Sequence, residues 1–112
     1  MDIVSRISTP DFRNNIEKII TTSELLNEID GAEYIARITP RDAKLMHNII
    51  INKIKQDISR KNEINNQRLV HDIVLSILLA QRVSSKKMDV IYNTIIVQLD
   101  RHLHSPSETV PS

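Results

Sequence analysis

The chain contains a single glycine, Gly31, among its 112 residues. Glycine supplies the left-handed backbone that tight hairpin turns need, so a β-sandwich or β-barrel with many such turns is disfavoured. The glycine-rich phosphate-binding loops GxGxxG and GxxxxGKS/T cannot be written with one glycine. The chain also has no cysteine, which excludes a disulfide framework, a thiol nucleophile, a zinc–cysteine site and an iron–sulfur cluster. The scarcity of glycine therefore limits the fold, and the absence of cysteine limits the chemistry.

Two helix starts have the same chemistry. Thr9-Pro10 and Thr39-Pro40 each place a threonine oxygen where it can accept an orphan backbone N–H, with proline at the first helical position. The first helix is weakened at residues 21–23, whose short hydroxyl side chains compete for backbone hydrogen bonds, and it either continues or gives way to a second short turn. Asp30-Gly31 ends it, and residues 33–38 are ambiguous.

Apolar residues at spacings of three and four predict three longer helices, over residues 41–61, 67–82 and 86–103. More than half the circumference of the second is apolar, so we expect it to be central and the most buried. Asn65 or Asn66 is its expected N-cap, and Ser84 or Ser85 that of the last helix. The apolar stripe predicted for the first of the three consists of Leu45, Met46, Ile49, Ile50, Ile54 and Ile58.

Strands are the rival interpretation, because residues 49–51 and 94–97 are β-prone. Neither run alternates apolar and polar residues over five or more positions, and no Asn-Gly or Asp-Gly turn joins two such runs. We predict an all-α fold, a small bundle of about four helices completed by homodimerisation. The length fits one helical domain over residues 1–103, with an acidic segment over 1–39, a three-helix core over 40–103 and a disordered tail over 104–112.

The two C-terminal helices have more apolar residues than one chain is expected to cover. Leu79, Val90, Ile96 and Val97 lie off the main stripes, and together they would form a patch typical of an interface. We therefore expect a symmetric homodimer, while the alternative is that the N-terminal helix folds back over the patch. The predicted dimer and core interface consists of Ile73, Ile77, Met88, Ile91, Tyr92, Ile95, Ile96 and Leu99.

Catalytic and metal-binding patterns are weak in this sequence. The histidines are His47, His71, His102 and His104, and no HExxH motif is present. Neighbouring residues on a helix point about 100° apart, so we do not expect His71-Asp72 to form a dyad. The carboxylates are scattered, whereas paired-acid catalysis needs two in one cleft. We expect no enzyme, cofactor, metal ion or small-molecule substrate.

Charge is distributed unevenly along the chain. Residues 1–34 hold seven acidic against three basic residues, a net of −4, and residues 35–112 hold twelve basic against seven acidic residues, a net of +5. A helix-turn-helix interpretation of residues 67–103 is weak, because the would-be recognition helix exposes few bases beside an apolar face. The candidate contacts for nucleic acid or an acidic partner are Lys53, Lys55, Arg60, Lys61, Arg68, Lys86 and Lys87.

Residues 42–103 share a hydrophobic pattern and an Asn-Asn helix start with a known family. The shared positions are Leu45, Ile49, Ile50, Ile64, Asn65, Asn66, Ile73, Ile77, Asp89, Val90, Ile91, Thr94, Ile95 and Leu99. This stretch resembles the small enterobacterial biofilm-development and acid-resistance regulators of the AriR-like family, which are connectors to two-component signalling. The resemblance implies a compact helical homodimer that binds a regulatory protein, with contacts to DNA as a further option. It supplies no catalytic residues.

We therefore expect a small non-enzymatic regulatory or connector protein of a bacterium or phage, acting through protein–protein interaction in signalling or transcription control. One alternative is a DNA-binding or nucleoid-associated transcriptional regulator that uses basic residues within 53–68 and 82–87. The other is a subunit or chaperone-like component of a hetero-complex. No apolar run reaches the roughly 18–20 residues of a membrane span and no signal-peptide core is present, so we expect a cytoplasmic location.

Overall fold

The computed structural model describes residues 3–59 and 65–104, and these form seven α-helices without a strand. The helices are α1 (Ile3–Ile7), α2 (Pro10–Thr21), α3 (Ser23–Asn27), α4 (Ala32–Arg37), α5 (Pro40–Ser59), α6 (Asn66–Val83) and α7 (Met88–His104). The all-α prediction is confirmed for the described residues. The predicted number of about four helices is wrong, because the N-terminal segment is divided into four short ones.

Three of the predicted helix starts are confirmed by their hydrogen bonds. The Thr9 hydroxyl oxygen accepts from the Phe12 N–H at 3.3 Å, and the Thr39 oxygen accepts from the Asp42 N–H at 3.2 Å. Asn65 caps α6 by accepting from the Gln67 N–H at 2.7 Å. Each contact satisfies a backbone donor that has no partner within the first turn of a helix.

Thr22 and Gly31 mark two of the three breaks between the N-terminal helices. Thr22 is extended and separates α2 from α3, while the Thr21 hydroxyl donates back to the Glu17 carbonyl oxygen at 2.9 Å. Gly31 has a left-handed backbone (φ 93°) and begins α4, which forms within the stretch that the sequence left ambiguous. Side chains that compete for backbone hydrogen bonds, and one residue free to adopt positive φ, therefore divide this stretch into helices of 12, 5 and 6 residues.

Helix α6 lies at the centre of the bundle, as predicted. It contacts α2, α4, α5 and α7. Its buried side chains include one polar and one charged residue and otherwise belong to the hydrophobic core: Leu69, Asp72, Ile73, Val74, Ser76, Ile77 and Leu79.

Leu79 corrects the predicted patch. It is fully buried with Ile35, Ile38 and Ala43 in a small second core formed by α4, α5 and α6. The Arg82 Nε–H also donates to the Ile38 carbonyl oxygen at 2.9 Å, which fixes the end of α4 to α6. Helix α4 therefore covers an apolar side chain that the sequence assigned to the surface.

The stripe predicted for α5 is partly wrong. Leu45 and Ile49 are 56% and 66% exposed, while the buried positions of the helix are Ala43, Ile51, Ile54 and Ile58. Apolar residues occupy both sides of this isoleucine-rich helix. Spacing alone could not show which side the neighbouring helices would cover.

Both ends of α7 differ from the prediction. The helix begins at Met88 rather than Lys86, because the Ser84 hydroxyl accepts from the Lys86 N–H at 3.2 Å and forms a turn instead of a helix cap. The helix continues to His104, which was predicted to open the tail. The remainder of the predicted tail, residues 105–112, and the last two residues of the 41–61 helix lie outside the described residues.

The N-terminal helices fold back onto α7. Val4 and Ile7 of α1 are buried in the main core, and the hydroxyl of the buried Tyr92 donates to the Ile7 carbonyl oxygen. At the surface, Arg13 of α2 forms an ion pair with Asp89 of α7. This is the arrangement of the alternative interpretation, although Val90 and Val97 on the outer side of α7 remain 47% exposed.

Candidate binding groove

A groove of about 230 Å³ lies between the first half of α5, the end of α6 and the first half of α7. We call it the α5–α7 groove. Helices α5 and α7 run in the same direction, since α5 contacts α7 again at its far end through Ser59 and His102. The residues lining the groove are Lys44, His47, Asn48, Ala80, Val83, Ser84, Lys86, Ile91, Thr94 and Ile95.

The floor of the α5–α7 groove is apolar, and apolar side chains extend from it onto the surface. Ile91 and Ile95 are buried at its base, whereas Val83 at its edge is 43% exposed. Val90, Thr94 and Val97 lie along one stripe of α7, at the helical spacings of four and three. An exposed apolar strip beside a groove is a common feature of interaction sites.

Five cations flank this apolar strip, and we call them the groove cations: Lys44, Lys55, Lys86, Lys87 and Arg101. Lys44 and Lys86 line the groove itself. Lys55 lies on the same side of α5 as Lys44 because eleven residues complete about three turns. Lys87 directly precedes α7, and Arg101 lies two turns after Thr94 and therefore on its side of α7. None of the five forms an ion pair with a carboxylate of the described residues.

His47 joins the groove to the core. It is half-buried, and its Nδ1–H donates to the Ser76 carbonyl oxygen at 3.0 Å. Burial lowers the pKa of His47 below its usual value, and the hydrogen bond to Ser76 opposes this only in part. The ring is therefore neutral near pH 7, and the positive charge of the groove comes from lysine and arginine.

The structure separates most of the bases predicted to bind nucleic acid. Lys53 and Lys55 are two residues apart and point to nearly opposite sides of α5. Arg68 forms an ion pair with Asp57 at 3.3 Å. Lys86 and Lys87 belong to the groove cations, and Arg60 and Lys61 lie outside the described residues.

Sequence reasoning missed Lys44 and Arg101 as members of one site. The spacing of Lys44, Asn48 and Lys55 signals a polar side of α5, but nothing in the sequence shows that this side faces Thr94 of α7. That neighbourhood depends on how the two helices pack.

The residues predicted for a dimer or core interface lie mostly inside one chain. Two of them are half-buried, Met88 and Ile96, and six are buried: Ile73, Ile77, Ile91, Tyr92, Ile95 and Leu99. These residues therefore belong to the hydrophobic core of a single chain. Their role between two copies stays a prediction.

The histidines show one difference from expectation. His71 Nδ1 lies 3.4 Å from Asp72 Oδ1, so the neighbouring pair does come into contact, although at the long limit of a hydrogen bond. Within the described residues, no group of three or more histidines and carboxylates could hold a metal ion.

No family model, curated protein or solved structure matches this chain. Among the helices that the structure describes, none combines the length and apolar character needed to cross a bilayer.

Proposed function

We propose that the chain is a small non-enzymatic regulatory or connector protein that acts by binding another protein through the α5–α7 groove. One observation carries this proposal: an apolar groove opens onto the exposed Val83, Val90 and Val97 and is flanked by the five groove cations. Apolar surface with charges at its rim is the usual composition of a protein-binding site. A cytoplasmic regulator in bacterial signalling or transcription control, as implied by the resemblance to AriR-like proteins, fits this proposal.

DNA binding is the less favoured function. Phosphate contacts need clustered cations but gain nothing from exposed valines. Lys53 and Lys55 are on different sides of α5, and Arg68 is paired with Asp57, so the predicted footprint is weakened. The remaining support is the groove cations themselves.

The proposed homodimer would need a surface beyond the single-chain core. Leu45 and Ile49 are the exposed apolar pair on the outer side of α5, and a second copy covering them would leave the α5–α7 groove open. Light scattering of the purified chain and of the Ile49→Asp variant tests this dimer. A dimeric purified chain and a monomeric variant support the proposal. A folded monomer in both cases rules this dimer out, and a chain that folds only with a different protein supports the hetero-complex alternative.

Site-specific photo-crosslinking tests the proposed function. A photoreactive amino acid replaces Thr94 in the groove or, as the control, Asn14 on the exposed side of α2, in cells that make the protein. We expect a protein adduct from position 94 and none from position 14. Adducts from both positions, or from neither, contradict the proposal.

A fluorescence-anisotropy titration with labelled duplex DNA tests the alternative. If the protein contacts six or more phosphates, its affinity for DNA should fall by about 1,000-fold between about 50 and 200 mM salt. Tight binding with that salt dependence, lost in Lys44→Glu and Arg101→Glu, would replace the protein-binding proposal with DNA binding.

A further inference from the structure

We propose that the occupant of the α5–α7 groove is an acidic amphipathic helix of a partner protein. This inference rests on the proposed function, because it names the partner chemistry of the same groove. Its basis is the juxtaposition of an exposed apolar stripe on α7 with cations along both edges that form no ion pair within the described residues.

The apolar stripe has the geometry of a helix-packing surface. Val90, Thr94 and Val97 form a ridge at spacings of four and three, and Val83 and the floor residue Ile91 lie beside it. Helices pack by placing such ridges into the grooves between side chains of a neighbouring helix. A partner helix with leucine-like residues along one side can cover these valines, which α1 and α2 leave exposed.

The cations define the edges and the length of the partner. Lys44 and Lys55 are eleven residues apart, about 16 Å along α5, and Arg101 is thirteen residues, about 20 Å, from the start of α7 at Met88. A partner helix of about 11–14 residues spans this distance. Carboxylates along both of its edges would face one row of cations each. A basic helix would face like charges on both sides.

The chain's own acidic segment does not fit this description. Its described acidic residues lie on or between helices α2–α4. The apolar side chains of these helices already pack into the chain's cores: Ile16, Ile19, Ile20, Leu26 and Ile35. No described acidic helix of the chain therefore has a free apolar side to offer to a second copy. The apolar floor likewise disfavours a nucleic acid, whose backbone would leave the valines uncovered.

Two synthetic peptides of fourteen residues, matched in their leucines, provide the test. One has glutamate along both edges of the leucine stripe, and the other has lysine at the same positions. Each is titrated into the isotope-labelled full chain and followed by NMR. We expect the glutamate peptide to shift the amide signals of Val83, Thr94 and Val97, and to bind about tenfold more weakly when salt rises from about 50 to 500 mM. We expect no binding of the lysine peptide.

Charge-reversal variants locate the interaction. The double change Lys44→Glu and Arg101→Glu should weaken binding of the glutamate peptide at least about tenfold. Lys53→Glu, on the opposite side of α5, is the matched control and should leave the affinity unchanged. All three residues are exposed, so circular dichroism should show unchanged helix content.

Several outcomes would overturn the inference. These are equal binding of both peptides, binding of neither, shifts confined to Leu45 and Ile49, or displacement of the peptide by duplex DNA. The crosslink at position 94 separates this inference from the proposed function. An adduct to a segment without acidic residues overturns the inference alone, whereas the absence of any adduct overturns the proposed function.

Discussion

The first four helices and the last three differ in how they are stabilised. Helices α1–α4 have 5, 12, 5 and 6 residues, whereas α5–α7 have 20, 18 and 17. Isolated helices shorter than about 12–15 residues are marginal in water, so the N-terminal four depend on packing against the rest. Few of their side chains are buried: Val4, Ile7, Ile16 and Ile35.

The long helices show the opposite balance. Helix α6 is buried on most of its circumference, and α5 and α7 each bury one side against it. The outer sides of α5 and α7 stay exposed, and they present Leu45, Ile49 and the α5–α7 groove. The N-terminal region therefore covers parts of α6 and α7, while the long helices form most of the core and the candidate site.

The largest effect is expected from a charge placed in the long-helix core. Ile95 is 1% exposed, so Ile95→Asp buries an unpaired carboxylate and should cost about 4 kcal/mol or more, much of the stability of a domain this size. Val97→Asp on the exposed side of the same helix should change stability by less than about 0.5 kcal/mol. Urea unfolding measures both, and similar losses for the two variants would contradict the assignment of the core side of α7.

Tyr92 tests the junction between the two regions. Tyr92→Phe removes the hydroxyl that donates to the Ile7 carbonyl and should cost about 1–3 kcal/mol, because the buried acceptor loses its partner. In the Tyr92→Phe variant, amide hydrogen exchange should speed up more in α1 than in α6. Uniform loss of protection over all helices would show that the N-terminal cover does not open separately. Burial raises the pKa of Tyr92 to about 12, so its ultraviolet titration should begin well above the ordinary tyrosine value of about 10 unless the cover opens.

Gly31 tests the short helices alone. Gly31→Ala should destabilise the chain by about 1–2 kcal/mol, because an L-residue is strained at φ 93°. The added methyl carbon itself would have space, since its nearest neighbour is a Leu75 carbon at 3.8 Å. Gly31→Asn, which tolerates the left-handed backbone better, is the control and should lose less. Equal losses would show that contact rather than backbone conformation matters.

His47 should give a small effect that depends on pH. Its pKa is lowered on folding, so the unfolded chain binds the proton more readily and stability should fall as pH drops below about 6.5. The loss should stop once the pH is below the lowered pKa of the folded form. Urea unfolding at about pH 7.5 and 5 measures it. In His47→Gln this part of the pH dependence should disappear, and an unchanged slope would assign it to other groups.

The helix starts and the central helix could be predicted from local sequence, and the choice of sides could not. Thr9, Thr39 and Asn65 cap helices through contacts within three residues, and the broad apolar character of α6 fits burial on most sides. Leu45 and Leu79 were assigned to the wrong environments. The burial of Leu79 depends on α4, a helix in a stretch too short to show a periodicity. The exposure of Leu45 depends on which side of α5 packs against α6.

The sequence by itself determined an all-α fold, the starts of α2, α5 and α6, the central helix and the uneven charge. Those properties depend on residues within one or two helical turns of each other. The tertiary structure alone decided that Lys44 of α5 faces Lys86 and Thr94 across an apolar groove. Packing between distant segments sets which sides of two helices meet, and each of those helices has apolar residues on more than one side. The candidate site therefore depends on the packing of α5, α6 and α7, which local sequence patterns do not specify.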